Sequence, residues 1–401
     1  MNIILKRSYL NVFLILVNKI RTKFHKGNYK GTGVIMLRLD LIGDCTMFTS
    51  AALAIRKLYS DKKMTIVCLS LCKPIFERLG VFDEIITVDF RPERIDYKKL
   101  WALFKKLREN EYDILLQPQV SKMPIADLLV SAIKCNKKIT IKTKPGNSTT
   151  KWIMFTNNLY DKIISYSKGW LNEIDYYGEF IRGLGFADYK TTKPYLPVKK
   201  QNFVDGKYYV FYPGASWTQR AWSQEKFAHL ADYIYERTGF FCVILGTNNE
   251  SWIAEKIIKN ARLTTYYSIV NLMGKTTLED VIDIIGGAEF VVANDTSGAH
   301  IGAAVNVPTI AIVGGGHYKR FIPYHIEQRM EDDNLPVPVI HKMPCYYCDW
   351  NWNIIGKKNN ECLKRIQRGK TIECVENIEL ESVIIEVDKI LKKIDDNVKV
   401  L

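Results

Sequence analysis

The chain has 401 residues, 47% hydrophobic and 25% charged, which is room for two ordinary domains with full cores and excludes a disordered chain. Its 57 Lys and Arg against 43 Asp and Glu leave a formal charge of +14, which calls for an anionic partner: nucleic acid, anionic lipid or a phosphorylated substrate. The nine cysteines are dispersed and odd in number, against a complete disulfide framework, and basic residues stand where a secretory cleavage pattern would follow the N-terminal apolar run, so reducing cytoplasm is the expected compartment.

The basic excess begins at the N terminus, where Lys6, Arg7, Lys19, Arg21, Lys23, Lys26, Lys30 and Arg38 all precede the first acidic residue, Asp40. Residues 9–20 (YLNVFLILVNKI) predict a short apolar helix, about half the roughly 20 residues that a membrane span requires. Leu10, Phe13, Leu14 and Val17 share one face, while Asn11, Asn18 and Thr22 lie nearer the other. Two readings follow: a helix lying in an anionic membrane interface, or one packed on the protein's own surface.

From Gly33 strand-length apolar runs alternate with helical periodicity. GVIMLRL, MTIVCLS, EIITVD and YDILLQ read as strands, each followed by a helical stretch, which indicates parallel βαβ units and a Rossmann-like half. A proline-bearing stretch, Thr191 to Lys207, reads as a linker. YYVFYPG, FFCVILG and YSIVNLMG repeat the scheme, and a charged helix over Ile378 to Ile394 either caps the second half or crosses back to the first. The expected divisions are 1–30, a basic amphipathic membrane-associating helix; 31–195 and 196–375, two Rossmann-like domains; and 376–401, a terminal helix.

The chemistry concentrates at strand ends. Phe290 to Gly316 (FVVANDTSGAHIGAAVNVPTIAIVGGG) reads as strand, turn, helix and strand, with Asp295, Thr296 and Ser297 at the first junction. Unpaired N–H groups and the positive helix end there suit a phosphate, and Gly298, Gly302 and the adjoining alanines permit close approach. His300, one turn in, is either a phosphate-site residue or a helix residue bonded to the backbone. Gly314 ends the following strand, where backbone can approach a ligand.

Pro213 to Trp222 (PGASWTQRAW) follows the first strand of the second half. Gly214, Ser216, Trp217 and Thr218 give a phosphate-permissive loop, and Arg220 is either the positive charge for a diphosphate or a surface arginine. Gly246, Glu250 and Gly274 complete the expected donor-side set. Gly274-Lys275-Thr276 is not a P-loop, because Ile269 stands where that loop needs glycine, and Gly31 and Gly33 precede a strand, so the dinucleotide fingerprint is missing too. In the first half, Arg38, Gly43 and Asp44 mark the first strand–helix junction. Asp44 is either a helix N-cap or a base at the carboxyl edge of the sheet, with Asp40 its rival. Cys345, Cys348, Cys362 and Cys374 are a candidate zinc set, although eleven residues separate the second pair, and buried thiols are the plain alternative.

In this order the motifs resemble glycosyltransferase family 9, the family of the lipopolysaccharide heptosyltransferases, over Gly33 to Pro323. The resemblance is carried by Arg38 with Ile42-Gly43-Asp44, by Tyr212 to Ser216 with Arg220 to Ser223, and by Gly274 to Leu278, Asn294 to His300, Ala303-Ala304 and Pro308 to Gly314. Ser50 and Ser223 stand where proline is usual, and Ser297 where glycine is usual.

The resemblance implies an α/β chain of GT-B architecture, two Rossmann-like domains facing across a cleft, with the donor nucleotide sugar held mainly by the second. It implies Asp44 as catalytic base, Arg220 beside the donor phosphates, and Asp295, Thr296 and His300 in donor binding. The expected reaction is an inverting sugar transfer, heptose from ADP-heptose, to a lipid-linked glycan such as the lipopolysaccharide core, at the cytoplasmic face of a bacterial inner membrane. No cofactor or metal is expected to be required, and nucleic acid is disfavoured because the basic excess lies outside the motifs. The alternatives are a nucleotide-sugar 2-epimerase or hydrolase of the same architecture, and a non-catalytic nucleotide-sugar binding protein.

Overall fold

The computed structural model describes residues 10–18, 20, 29–90, 95–166, 171–199, 201, 203–348, 362 and 371–400. The first part contains α1 (10–18), β1 (Val34–Arg38), α2 (Ile42–Met47), α3 (Thr49–Leu58), β2 (Met64–Leu69), α4 (Lys73–Leu79), β3 (Glu84–Val88), α5 (Tyr97–Glu109), β4 (Glu111–Gln117), α6 (Pro124–Ala132), β5 (Lys134–Ile141), α7 (Thr150–Thr156), β6 (Lys162–Ile164) and α8 (Glu173–Gly183). The second contains β7 (Tyr208–Tyr212), α9 (Gln224–Thr238), β8 (Phe241–Ile244), α10 (Ser251–Asn260), α11 (Leu263–Tyr266), β9 (Ile269–Asn271), α12 (Leu278–Gly286), β10 (Val291–Asn294), α13 (Ser297–Ala304), β11 (Thr309–Ile312), β12 (Val337–Val339), α14 (Glu373–Glu376) and α15 (Leu380–Val400).

Each part is built on a six-stranded sheet, in the orders β3-β2-β1-β4-β5-β6 and β12-β11-β10-β7-β8-β9. Every pairing is parallel. The central strands are covered on both faces, which is why β1, β2 and β10 read as continuous apolar runs without alternation. Strand order reverses between β1 and β4 in one sheet and between β7 and β10 in the other, and the crevice at such a reversal, outside the carboxyl ends of the strands, is where ligands bind in open α/β sheets.

Helix starts follow local signals: Asp96 caps α5, Ser223 caps α9, and capping boxes open α8 (Asn172 with Asp175) and α12 (Thr277 with Asp280). Gly239, at φ 66°, ends α9 in the left-handed conformation. Elements absent from the sequence reading are β5, whose KCNKKITI carries three lysines, the three-residue β6 and β12, and α7, α8, α11 and α14. The last helix caps the second part, where Tyr233 of α9 donates to Asp388 of α15 at 2.8 Å.

One apolar core runs through both parts, joining Met36 and Phe48 to Val210, Val291 and Ala299. Arg78 of α4 and Asp283 of α12 form a buried ion pair across this seam, and the Lys199 N–H donates to Asp283 at 2.8 Å. The 191–207 stretch, expected as a linker, carries no regular element in its described residues and lies against both parts: Tyr195 N–H donates to Thr49 Oγ1 at 3.0 Å and Leu196 N–H to Ala304 O at 2.9 Å.

Helix α1 turns its asparagines inward. Asn18 donates to Ser131 at 2.9 Å and accepts from Arg108, and Asn11 accepts from Tyr97 at 3.2 Å, while Ile15 is buried. Leu10, Phe13, Leu16 and Ile20 are exposed by 39, 60, 45 and 60%, with Leu14 and Val17 only half-buried. The expected flanking cations Lys6, Arg7, Lys19, Arg21, Lys23 and Lys26 lie outside the described residues, as does Thr22. No described helix is long and apolar enough to cross a membrane.

Candidate functional site

The first wall of the site is the β1–α2 junction. Leu41 is the N-cap of α2, so Asp44 lies within its first turn and is not the cap. Its backbone carbonyl accepts from Phe48 N–H and from Arg38 at 3.3 Å, and its carboxylate has no hydrogen bond or ion pair among the described residues. The rival, Asp40, is spoken for: it pairs with Arg38 at 2.7 Å and accepts from Gln119, at the end of β4. Arg38 is wholly buried, donates to Tyr177 Oη at 3.0 Å, and lies over the Phe48 and Tyr177 rings at 4.4 and 5.1 Å. It therefore holds the loop and is not exposed to an acceptor.

Asp44, Asp40 and Glu173 form a carboxylate group answered by Arg38 and Arg320. Burial, then the charges of Asp40 and Glu173, push Asp44 up to about 7 against the pull of Arg38 and Arg320. Glu173 is raised as well, chiefly by burial. Arg320 comes from the loop after β11 and is tied to α8: Glu173 N–H donates to Arg320 O at 2.9 Å, and Asn172 Nδ2 donates to the carbonyls of Lys319, Phe321 and Pro323. Thus the seam between the two parts brings Glu173 and Arg320 near Asp44.

The second wall belongs to β7 and β10. Asn294 Nδ2 donates to Pro213 O at 2.6 Å, and Trp222 N–H donates to Asn294 Oδ1 at 3.2 Å, so the loop 213–222 is pinned to the neighbouring strand end. A short 3-10 turn over Thr218–Arg220 then directs the Arg220 guanidinium to Ser216 Oγ and to His317 Nδ1, the latter at 3.2 Å. His317 Nδ1 also lies 3.3 Å from Asp295. Burial pushes His317 down to about 4 despite Asp295, so the imidazole is neutral at physiological pH. Burial lowers the Arg220 pKa while Asp295 raises it. Asp295, although burial works to raise it, is held below the usual carboxylate range by His317, His300 and Arg220.

Thr296 caps α13 with extended backbone; its hydroxyl donates to Asn294 O at 3.2 Å and not to the helix, and Ala299 N–H turns back to Thr296 O at 3.2 Å, which leaves the N–H groups of Ser297 and Gly298 uncapped at the start of this eight-residue helix. Ser297 Oγ is 3.4 Å from Tyr212 Oη, and Gly298 lies so close to the Tyr212 ring that no Cβ fits. His300 is buried, bonded through Nδ1 to Tyr324 Oη at 2.7 Å and stacked on that ring, and burial pushes it down to about 4 despite Asp295. Of the two readings of His300, backbone bonding is replaced by a side-chain partner. Its ring meets the first wall: a Cβ at Gly43 would stand 3.0 Å from His300 Cδ2.

The remaining expected residues lie along the same carboxyl edge. Glu250 accepts from Thr247 N–H at 3.1 Å and its carboxylate fills the space a side chain at Gly214 would need. Gly274 N–H donates to Gly246 O at 3.0 Å, closing the ends of β8 and β9 together. Trp217 packs half-buried on the core of the second part, and Thr218 is exposed. Gly314, buried, leads from β11 to His317. Missing from the sequence reading were Gln119, Glu173, Tyr177, His317, Arg320 and Tyr324. The HYKRFIPY run after the triple glycine was the available signal, because a cluster of cations and aromatics just past a strand end marks a binding loop. No three His, Cys, Asp or Glu side chains among the described residues stand in metal-ligand geometry.

Comparison with known proteins bears on the fold and the family. The family model of glycosyltransferase family 9 (heptosyltransferase) matches residues 173–335. The lipopolysaccharide core heptosyltransferase OpsX of Haemophilus influenzae is 22% identical over 301 residues, 72% of this chain and 81% of that protein. Among solved structures, a family 9 glycosyl transferase from Veillonella parvula superposes with a TM-score of 0.69 at 18% identity, covering 90% of this chain and 97% of that one. The ADP-heptose lipopolysaccharide heptosyltransferase II of Escherichia coli gives 0.66 at 16% identity, covering 91% and 100%. The fold is that of these neighbours, GT-B.

Proposed function

Because residues 173–335 match the model of glycosyltransferase family 9 and heptosyltransferases are similar to most of the chain, we propose that it is a member of that family and moves a heptose from a nucleoside-diphosphate donor, ADP-heptose, to a hydroxyl of a lipopolysaccharide-core or related lipid-linked glycan, with inversion at the anomeric carbon. The observation that carries this reading is the meeting of two unlike walls: an unpartnered carboxylate raised to about 7 on one part, and a helix N-terminus with a guanidinium on the other.

The steps follow from the residues. Asp44 takes the proton of the acceptor hydroxyl, for which a pKa near working pH is suited. The acceptor oxygen forms its bond to C1 on the face opposite the diphosphate as the C1–O bond to that group breaks, and the electron pair leaves with the nucleoside diphosphate. Arg220, the Ser216 hydroxyl and the first-turn N–H groups of α13 receive the charge that develops there, so no divalent ion is needed for that task. Neutral His300 and His317 add no competing charge and offer ring nitrogens as hydrogen-bond groups. Glu250 suits the hydroxyls of a ribose. In this reading residues 31–195 form the acceptor domain and 196–375 the donor domain.

We place the enzyme at an anionic membrane surface on the cytoplasmic side. Support comes from α1, which spends its polar asparagines on the protein and leaves Leu10, Phe13, Leu16 and Ile20 outward, beside α5 with its exposed Trp101. A lipid-linked acceptor would then be met in the plane where it resides.

The test is transfer by the purified full chain from ADP-heptose to heptose-deficient core acceptors, with the product anomer read by NMR. An inverted heptoside formed by wild type and not by Asp44→Asn is the expected result. Retention of configuration, or equal transfer by Asp44→Asn, would overturn the mechanism.

A further inference from the structure

The chain between β11 and β12 leaves the second part and lies along α8 of the first, fastened at both ends of that helix. At the start, Asn172 Nδ2 donates to the carbonyls of Lys319, Phe321 and Pro323 at 3.2, 3.3 and 3.0 Å, and Glu173 N–H donates to Arg320 O at 2.9 Å. Close by, His325 Nδ1 lies 2.7 Å from Asp175 Oδ1. At the far end, Arg182 donates to Glu327 at 3.0 Å, and the Thr191 carbonyl accepts from the N–H groups of Glu327 and Gln328 at 3.0 and 2.9 Å.

These fastenings differ in weight. The His325 side chain is exposed by 73% and the Arg182–Glu327 bond is open to solvent, where an ion pair contributes little. Asn172 is exposed by 5%. Its Oδ1 caps α8 by accepting from Ile174 N–H at 3.2 Å, and the two N–H groups of Nδ2 are shared among the three carbonyls. Lys319 holds φ 65°, a left-handed conformation that is costly for a residue with a side chain, so the turn depends on support from outside itself.

The three carbonyls fall between two residues of the second wall. His317, whose ring reaches Arg220 and Asp295, accepts through its carbonyl from Arg320 N–H at 2.9 Å. Tyr324, next after Pro323, carries the hydroxyl bonded to His300. The Phe321 ring stands edge-on to both imidazoles, with centroids 5.0 Å from His317 and 6.3 Å from His300. A side chain of the first part thus fixes the backbone that aims two side chains of the second.

We propose that Asn172 is a positioning residue for the nucleoside-diphosphate donor: it holds the 317–324 loop so that His317 and Tyr324 keep Arg220, Asp295 and His300 in place. Donor affinity is then set in part from the first part of the chain, and by linkage a bound donor tightens the contact at the start of α8. The effect on affinity rests on the reading of Arg220 and Asp295 as donor groups, whereas the fastening of the loop does not.

The experiment compares the full chain with Asn172→Ser and Asn172→Asp. Serine and aspartate cap helices about as well as asparagine, and neither supplies the amide donors. Both variants are expected to fold cooperatively, to weaken ADP binding about fivefold or more by calorimetry, and to exchange amide hydrogens faster over 317–324. Glu327→Gln, at a fastening open to solvent, is expected to bind ADP as wild type does. A purely structural Asn172 would lower the melting temperature and leave ADP affinity unchanged, and that result, with Arg220→Ala weakened, overturns the proposal. If Arg220→Ala also binds ADP as wild type does, the donor reading has failed instead. Faster exchange over 317–324 then preserves the fastening, and unchanged exchange ends it. Should neither variant fold, wild type decides: ADP is expected to slow exchange over 172–178 together with 317–324, and protection confined to the second part overturns the proposal.

Discussion

Gly43 and His300 meet across the seam between the two sheets, so close that a Cβ on the glycine would stand 3.0 Å from the imidazole Cδ2. One residue precedes Asp44, and the other lies one turn into α13, whose N-terminus is proposed to face the donor. A side chain at position 43 must therefore push the two walls apart. Gly43→Val is expected to lower transfer about tenfold or more, because small misplacements of reacting groups are costly, while ADP binding by calorimetry stays near wild type. Undiminished transfer would mean that the two walls need not approach.

The pH dependence follows from the raised pKa of Asp44. As a base it must be ionised, so kcat/KM falls as pH drops through about 7. Asp44→Asn should lower the rate about 100-fold or more and remove this limb. For stability the sign is opposite. A carboxyl whose folded-state pKa is raised favours the native state below its unfolded pKa and loses that contribution as pH climbs through about 7. Asp44→Asn should thus melt at or above the wild-type temperature at pH 8, and a lower Tm there would place the side chain in a structural role.

Arg220 reaches both Ser216 Oγ and His317 Nδ1 with different nitrogens of one planar group. Lysine cannot reproduce both contacts, so Arg220→Lys should retain part of the diphosphate affinity and Arg220→Ala should weaken ADP binding about tenfold or more. Isothermal titration decides it, and equal dissociation constants for all three proteins would remove Arg220 from the donor site.

Arg78 and Asp283 are exposed by only 4% and 2% in their side chains. Burial works to raise the Asp283 pKa, and the bonds from Arg78 and the Lys199 N–H overcome it, leaving it below the usual range. Arg78→Met leaves a buried carboxylate without its counter-ion and should cost about 3–5 kcal/mol in urea unfolding, with much of the loss recovered in Arg78→Met/Asp283→Leu. A loss under about 1 kcal/mol would show that the seam tolerates the charge.

The outward apolar residues of α1 predict sedimentation of the protein with vesicles containing phosphatidylglycerol. Phe13→Glu/Ile20→Glu should abolish it and leave transfer to a soluble acceptor intact, since neither residue touches the cleft. Equal binding of wild type and variant would move the membrane contact elsewhere.

The sequence alone determined the parallel βαβ plan in both halves, because two-faced burial leaves its mark as continuous apolar strands such as VIMLR and VVAN, each followed by helical periodicity. It also marked the strand-end positions Gly43, Asp44, Arg220, Asp295 and His300, where glycine, charge and hydroxyl residues interrupt apolar runs. The strand β5 was hidden because its lysines mask a pattern that only neighbouring strands on both sides explain.

Tertiary structure decided what each charge faces. Asp40 and Asp44 are indistinguishable in the sequence, and only the arrival of Gln119 and Arg38 at one carboxylate leaves the other unpartnered. Glu173 carries no local signature, and the HYKRFIPY run marks His317 and Arg320 only as part of a binding loop; their meeting comes from distant segments tied together by Asn172 and the Arg320 carbonyl. The same holds for α1: its periodicity gave two faces, and which one meets the protein was settled by Tyr97, Arg108 and Ser131, partners for asparagine that no short-range pattern encodes.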